Sequence, residues 1–170
     1  KEPPSTEEDL GTTIDRRIPQ SVAQYKHMME ILPAGEFPRS YSSKEDKLIT
    51  SGSDWWCSGF YPGTLLYLYE KTGDEQLYKE AQRMLTLLEK EQYNTTTHDL
   101  GFMMFCSFGN ANRLEPKEEY QEILLQSAKS LSTRFNETVG CIKSWDSGED
   151  DFLVIIDNMM NLELLFWATQ

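Results

Sequence analysis

One stretch decides the fold that the sequence predicts: H-D-L-G-F-M-M-F-C-S-F, residues 98–108. Three threonines precede it, and after Asp99 its side chains are apolar almost all round. A helix that has no polar face must be surrounded by other parts of the protein. We therefore predict a buried helix that begins at Asp99 and ends near Gly109. His98 and Asp99 lie at the mouth of this helix, where side chains can face a cavity.

The same pattern, a short polar or aromatic opening followed by an apolar run, occurs twice more. W-W-C-S-G-F-Y-P-G at residues 55–63 precedes one such run, and D-N at residues 157–158 precedes another. Runs of this kind are again typical of helices that lie inside a protein. They predict a second helix that follows Gly59 and ends at Thr72, and a sixth helix that begins at Asp157.

Three other segments show the apolar spacing of three and four residues that is typical of amphipathic helices. They cover residues 12–32, residues 75–92 and a stretch that starts at Pro116. The polar segment 36–53 is predicted to be a loop. Amphipathic and wholly apolar helices thus alternate along the chain, as outer and inner helices do in an α/α toroid. We predict an all-α fold of about six helices in three outer–inner pairs, with a helical bundle or an open solenoid as the structural alternative.

Composition limits the partners of the protein. The chain of 170 residues carries 28 acidic and 16 basic residues, which gives a formal net charge of −12. This charge disfavours nucleic acid and anionic membrane surfaces as partners, but it allows a small anionic ligand. No apolar run approaches the roughly 20 residues of a membrane span. Cys57, Cys106 and Cys141 lack metal-ligand spacing, so we interpret them as core residues.

The two ends of the chain suggest boundaries. Residues 1–11 are rich in proline and glutamate and are predicted to be a disordered lead-in, while residues 12–170 are predicted to belong to one domain. Because the first residue is Lys1, we expect a processed chain, which favours a periplasmic over a cytoplasmic location. The apolar C-terminal segment stops without a helix-ending residue, so we expect a domain that is truncated there.

Parallel inner helices would bring their N-termini to one end of the ring. The side chains expected at that end are Trp55, Trp56, His98, Asp99, Asp157 and Asn158. Tryptophan faces stack on sugar rings, and paired carboxylates do acid–base work, so this set is typical of a carbohydrate site. Purely structural roles for the same residues stay open at this point. The two aspartates can cap their helices, Trp56 and Trp145 can fill the core, and His98 can be a hydrogen-bonded core histidine.

Four motifs together resemble the unsaturated glucuronyl hydrolases, glycoside hydrolase family 88. They are W-W-C-S-G-F-Y-P-G at 55–63, T-H-D-L-G-F at 97–102, S-W-D at 144–146 and I-I-D-N-M-M-N-L-E-L-L at 155–165. The motifs occur in the order and spacing of the family, from about residue 12 to the end. One departure is Trp55, where a small or polar residue is expected. The resemblance implies that the chain is the first half of a catalytic (α/α)6 barrel.

The resemblance also implies roles for individual residues. Asp99 and Asp157 match the two catalytic carboxylates of the family. The residues that we expect to bind the substrate are Trp56, His98, Trp145 and Asn158. No metal and no cofactor are implied. Groups that recognise the uronate carboxylate are expected mostly in the other half of the barrel, and we do not expect half a barrel to be active alone.

The activity that the resemblance implies is an unusual glycoside hydrolysis. Its substrate is an acidic oligosaccharide with a 4,5-unsaturated uronic acid at the non-reducing end, which a polysaccharide lyase produces from a glycosaminoglycan-type glycan. Family enzymes hydrate the C4=C5 double bond: Asp157 would protonate C4 and help to activate the water that attacks C5. The alternatives are an unsaturated rhamnogalacturonyl hydrolase of the same fold, and a glycan-binding toroid or inactive fragment without turnover.

Overall fold

The structure is a computed structural model, and it describes residues 9–148 and 151–170. The α-helices of this part of the chain are α1 (Leu10–Ile31), α2 (Phe60–Thr72), α3 (Glu75–Leu88), α4 (Asn110–Leu114), α5 (Glu118–Ser132) and α6 (Asn158–Ala168). A 3-10 helix, Glu89–Tyr93, follows α3, and a π-helix, Gly101–Gly109, runs into α4. The strands form two antiparallel hairpins, β1 (Phe37–Ser42) with β2 (Lys47–Ser51) and β3 (Phe135–Asn136) with β4 (Cys141–Ile142).

The π-helix lies at the centre of the packing. Both α2 and α6 pack against it, α3 contacts α2 and the π-helix, and α5 contacts the π-helix and α6. Helix α1 packs on α2. The described helices therefore form an arc, with α2, the π-helix and α6 inside and α1, α3 and α5 outside. This order is part of an α/α toroid, and the predicted fold class is confirmed.

The hydrophobic core fills the space between the inner and outer helices. Outer helix α3 contributes one buried stripe, formed by Leu77, Ala81, Met84, Leu85 and Leu88. Met103 and Met104 of the π-helix meet this core and are themselves fully buried. An amphipathic outer helix therefore buries one face only, as its apolar spacing predicted.

Helix α6 differs from the expectation for an apolar inner helix. Its buried residues are Asn158, Asn161 and Leu164. Met159, Met160 and Phe166 lie on an exposed face. No element within residues 9–148 and 151–170 covers that face, so the burial of α6 is lower than its composition predicts.

Glycine residues let the backbones of α2 and the π-helix touch. A Cβ atom on Gly59 would lie 2.2 Å from the carbonyl oxygen of Met103 and 2.3 Å from that of Phe102. A Cβ atom on Gly63 would lie 2.3 Å from the carbonyl oxygen of Cys106. Any larger residue would force these helices apart, because the obstacle is backbone and cannot rotate away.

The central helix has wider turns than expected. The sequence predicts a helix that starts at Asp99 and ends near Gly109, but the helical turns begin at Leu100 and continue through α4. Over Gly101–Gly109 the backbone forms a π-helix, a rare conformation that is frequent at functional sites. An apolar composition does not determine which carbonyl accepts each N–H hydrogen bond, so the π-helix could not be predicted from the sequence.

The segment 36–53 was predicted to be a loop, and this prediction was wrong. Strands β1 and β2 pair antiparallel, with Phe37 opposite Ser51 and Ser42 opposite Lys47. The register shifts between Pro38 and Ser40, which leaves a bulge at Arg39. A two-stranded ribbon with one side in solvent needs few apolar residues, so its polar composition resembled that of a loop.

Several helix boundaries also differ from those predicted. Residues 1–8 of the predicted lead-in lie outside the described residues, and helix α1 begins at Leu10 after Asp9, whose side chain accepts a hydrogen bond from Thr12 N–H. Helix α5 begins at Glu118 instead of Pro116. Among the described helices, none is both long enough and apolar enough to cross a bilayer.

We predict that Gly59→Ala lowers the free energy of unfolding by about 1–3 kcal/mol or more, because the added methyl group meets two backbone carbonyls. The control is Gly73→Asn. A Cβ atom at Gly73 meets nothing within 4 Å, and its φ of +69° is one that asparagine tolerates. Urea unfolding monitored by circular dichroism measures the stability of both variants. Equal midpoints would show that backbone contact does not limit the size of the side chain at residue 59.

Candidate active site

A cleft of about 460 Å³ lies where the N-terminal ends of the three inner helices meet. Its lining residues are Asp54, Trp55, Trp56, Thr97, Asp99, Trp145, Ile155 and Asp157. These residues come from the segments that precede α2, the π-helix and α6. The structure therefore brings together both predicted carboxylates and the three predicted tryptophans, Trp55, Trp56 and Trp145.

Asp99 is held in place by Thr97. The Thr97 hydroxyl donates a hydrogen bond of 2.7 Å to Asp99 Oδ2 and accepts one of 3.1 Å from the Asp99 backbone N–H. The other carboxylate oxygen, Oδ1, lies 3.2 Å from His98 Nε2. The N-cap residue of the π-helix is Leu100, and no side-chain capping hydrogen bond is made from that position. The Asp99 carboxylate is therefore oriented by its neighbours in the loop, and it is not a helix cap.

Asp157 occupies the N-cap position of α6, but its side chain makes no capping hydrogen bond. Its backbone is helical, with φ −66° and ψ −12°, whereas a capping aspartate usually has an extended backbone. The side chain is 43% exposed, and its Oδ1 lies 3.6 Å from His98 Nε2. Asp157 is thus the more accessible of the two carboxylates, and its side chain lines the cleft and does not cap the helix.

His98 is completely buried behind the two carboxylates. Its backbone N–H donates to Ser144 O at 3.0 Å, and its ring meets Trp145 edge-on at 5.7 Å between centroids. A single ring nitrogen, Nε2, faces both Asp99 and Asp157. His98 is not among the residues that line the cleft, and its contact with a substrate stays a prediction.

Trp56 and Trp145 line the cleft from two different segments of the chain. Trp56 makes edge-to-face contacts with Phe60 at 5.7 Å and with Phe102 at 6.1 Å, and these two rings pack on each other. Trp145 follows Ser144 and pairs through a backbone bridge with Thr97. Both indoles remain partly exposed, so they are not core residues and can offer a face to a sugar ring.

Asn158, like His98, is a predicted site residue that does not line the cleft. Its Nδ2 donates a hydrogen bond of 2.7 Å to Ile142 O, which fixes the start of α6 to strand β4. It lines an apolar groove on the other side of this segment, with Met159 and Leu165. Successive residues of a helix point about 100° apart, so Asn158 faces this groove while its neighbour Asp157 faces the cleft, and contact of Asn158 with a substrate stays a prediction.

Basic side chains flank the acidic cleft on two sides. Arg39, at the bulge of β1, places its guanidinium 4.2 Å from the centre of the Trp55 ring. Beyond Trp145, Asp146 pairs with Lys143 at 3.2 Å and with Arg134 at 3.5 Å. The hydrogen bond from Lys143, together with the charge of Arg134, lowers the pKa of Asp146 below its usual value.

Sequence reasoning missed three lining residues. Thr97 could have been found, because a threonine two positions before an aspartate often bonds to its backbone and side chain. Asp54 gave no signal beyond its place before two tryptophans. Ile155 appeared only as the first residue of the I-I-D-N motif. Trp55 was expected at this end of the ring, but its contact with Arg39 was not, because Arg39 comes from the hairpin that was not predicted.

One group of described side chains has the donor types that bind a divalent cation. Oxygen and nitrogen atoms of His98, Asp99 and Asp157 all lie within 4.8 Å of one another. Imidazole nitrogen and carboxylate oxygen are both donor types that zinc accepts in proteins. The same closeness also couples the three groups for proton transfer, which is the use that we propose below.

Ser144 joins the segments that lead into the π-helix and α6. Its backbone carbonyl accepts a hydrogen bond of 3.0 Å from His98 N–H, and its backbone N–H donates one of 2.8 Å to Leu153 O. Its hydroxyl accepts a further bond of 3.0 Å from Ile155 N–H. Ser144 is fully buried, so one residue holds the segment before Asp99 against the segment before Asp157.

We predict that Ser144→Ala lowers the free energy of unfolding by about 1–2 kcal/mol, because Ile155 N–H loses its partner. The control is Ser127→Ala, which is equally buried but whose hydroxyl donates to Ile123 O within α5. Its loss leaves no backbone N–H unpaired, so the effect should be smaller. Denaturant unfolding measures both, and a Ser127→Ala effect as large as that of Ser144→Ala contradicts the bridging role.

Comparisons with known proteins point to one group of enzymes. No family model matches the chain. It is 46% identical over 140 residues to the unsaturated glucuronyl hydrolase of Formosa agariphila, which covers 81% of this chain and 35% of that protein. It is 31% identical over 133 residues to the unsaturated glucuronyl hydrolase of Bacillus sp. strain GL1, covering 75% of this chain and 35% of that protein.

A solved structure agrees with these sequence matches. A crystal structure of an unsaturated glucuronyl hydrolase specific for heparin superimposes with a TM-score of 0.84 at 42% identity. The match covers 90% of this chain and 41% of that chain. The chain thus spans between 35% and 41% of the length of these three relatives.

Proposed function

Since the chain belongs to the unsaturated glucuronyl hydrolases, we propose that it carries the catalytic carboxylates of a glycoside hydrolase. The complete enzyme releases a 4,5-unsaturated uronic acid from the non-reducing end of lyase-generated, glycosaminoglycan-type oligosaccharides. One observation supports this proposal most: Asp99 and Asp157 face one cleft, with carboxylate oxygens within 4.8 Å of each other. Because the chain spans about two fifths of its relatives or less, the activity is proposed for the complete protein.

Asp157 is assigned the proton transfers of the reaction. It is the more exposed carboxylate, so it can reach a substrate in the cleft. Protonated Asp157 gives its proton to C4, and the resulting carboxylate then takes a proton from the water that adds to C5. The hydrated C5 is a hemiketal, whose opening leaves a hemiacetal at C1 that expels the rest of the sugar chain.

Asp99 is assigned a supporting role. The hydroxyl of Thr97 donates to its carboxylate and His98 Nε2 lies close to it, so the ionised form is well accommodated. These contacts fix the Asp99 carboxylate beside Asp157, and the acid–base steps are assigned to Asp157 as the more exposed of the two.

Trp56 and Trp145 are assigned to substrate binding. Both line the cleft and can stack on a sugar ring there, and Trp56 is supported by its contacts with Phe60 and Phe102. The relative that shares 42% identity is described as specific for heparin. Unsaturated heparin disaccharides are therefore the first substrates to test, beside those of chondroitin and hyaluronan.

We predict that Asp157→Asn in the complete protein lowers kcat by roughly 100- to 10,000-fold, because an amide cannot deliver the proton. Its melting temperature should stay near that of the wild type, since the Asp157 side chain makes no capping hydrogen bond. Asp99→Asn should also lose activity, because it removes the charge beside Asp157. Loss of double-bond absorbance measures turnover, and calorimetry measures binding of the unsaturated disaccharide.

The matched control is Asp146→Asn, an aspartate of the same loop that pairs with Lys143 and does not line the cleft. It should keep near wild-type turnover. If Asp157→Asn turns over the disaccharide within about tenfold of the wild type, Asp157 does not carry the proton and the scheme is wrong.

A further inference from the structure

Asn161 connects the first turns of the two helices that carry the carboxylates. It is fully buried and lies one turn after Asp157 in α6. Its Oδ1 accepts a hydrogen bond of 2.9 Å from the backbone N–H of Phe102, in the first turn of the π-helix. Its Nδ2 lies 3.4 Å from the carbonyl oxygen of Asp157. One carboxamide thus touches both segments on which Asp99 and Asp157 depend.

Gly101 brings these two segments into backbone contact. A Cβ atom on Gly101 would lie 2.5 Å from Asn161 Cα and 2.7 Å from Asn161 Oδ1. Real Cβ atoms do not approach other atoms so closely, so only glycine permits this approach. The distance between the π-helix and α6 at this level is therefore set by Gly101 and Asn161.

The bond to Asn161 also bears on what Asp99 can do. The first N–H groups of a helix lack partners within the helix, and a nearby aspartate commonly supplies one. Here the side chain of Asn161, from another helix, bonds to Phe102 N–H. The carboxylate of Asp99 is left to contact Thr97 and His98 at the cleft.

We propose that Asn161, together with Gly101, is a positioning residue that sets the separation of the Asp99 and Asp157 carboxylates. This inference rests on the proposed function for its catalytic consequence, while the contact itself is independent of it. Asn161 does not line the cleft and touches no substrate, so it acts through the two helix ends. A displacement of about 1 Å at reacting groups can cost on the order of 100-fold in rate.

The test uses Asn161→Ala in the complete protein, assayed with unsaturated disaccharide well below its melting temperature. We expect kcat to fall by roughly 10- to 100-fold while KM changes less than about threefold, because the cleft surface is intact but its carboxylates are misplaced. A second variant, Gly101→Ala, separates the same helices by another route and should give the same split between kcat and KM.

The matched control is Asn110→Ala. It removes a carboxamide that donates a hydrogen bond of 2.8 Å to Cys106 O, at the far end of the π-helix. It should keep kcat within about twofold of the wild type, and it should lower the melting temperature less than Asn161→Ala does, because it leaves no backbone N–H unpaired. An equal loss of kcat in Asn110→Ala, or an unchanged kcat in Asn161→Ala, would overturn the proposal.

Residue-resolved amide hydrogen exchange gives a readout that does not depend on activity. Phe102 N–H should be protected in the wild type and should exchange at least about tenfold faster in Asn161→Ala. If that protection is lost while the wild-type protein fails to turn over any unsaturated disaccharide, the contact stands and the proposed function is wrong. If protection of Phe102 is unchanged in Asn161→Ala, the positioning contact is wrong whatever the activity.

Discussion

Backbone contact between the π-helix and its two inner neighbours is the constraint on which the rest of the structure depends. Gly59 lets α2 approach the carbonyl groups of the π-helix, and Gly101 lets the π-helix approach α6 at Asn161. Helices that touch at their backbones cannot slide or tilt to admit larger side chains without losing packing. Their N-terminal ends are therefore held at one level, and this brings Asp99 and Asp157 to a common cleft.

Apolar periodicity in the sequence predicts the helices and the place of Asp99, but not the hairpin or the rotation of α6. The inner and outer helices follow from apolar periodicity, and the place of Asp99 follows from the change to an apolar run behind it. The β1–β2 hairpin and its Arg39 bulge could not be predicted, because a solvated ribbon has a polar composition. The direction of Asn158 depends on the rotation of α6 about its own axis, and only the packed structure shows that rotation.

The negative charges of the site oppose the binding of the proposed substrate. The chain has a net charge of −12 and the cleft contains three carboxylates, yet the proposed substrate is itself an anion. Two described cations lie in segments next to its tryptophans: Arg39 lies on the Trp55 ring, and Lys143 pairs with Asp146, the residue after Trp145. Aromatic stacking can hold the sugar here in spite of repulsion between like charges.

The proposed reaction is hydration of a double bond, so the most direct measurement compares an unsaturated disaccharide with its saturated counterpart. The complete protein is incubated with each, and release of the reducing-end sugar is followed together with double-bond absorbance. Only the unsaturated disaccharide should be cleaved, with sugar release and loss of absorbance in equal amounts. Cleavage of the saturated disaccharide at a similar rate, or sugar release with the absorbance retained, would show direct acetal hydrolysis and rule out hydration.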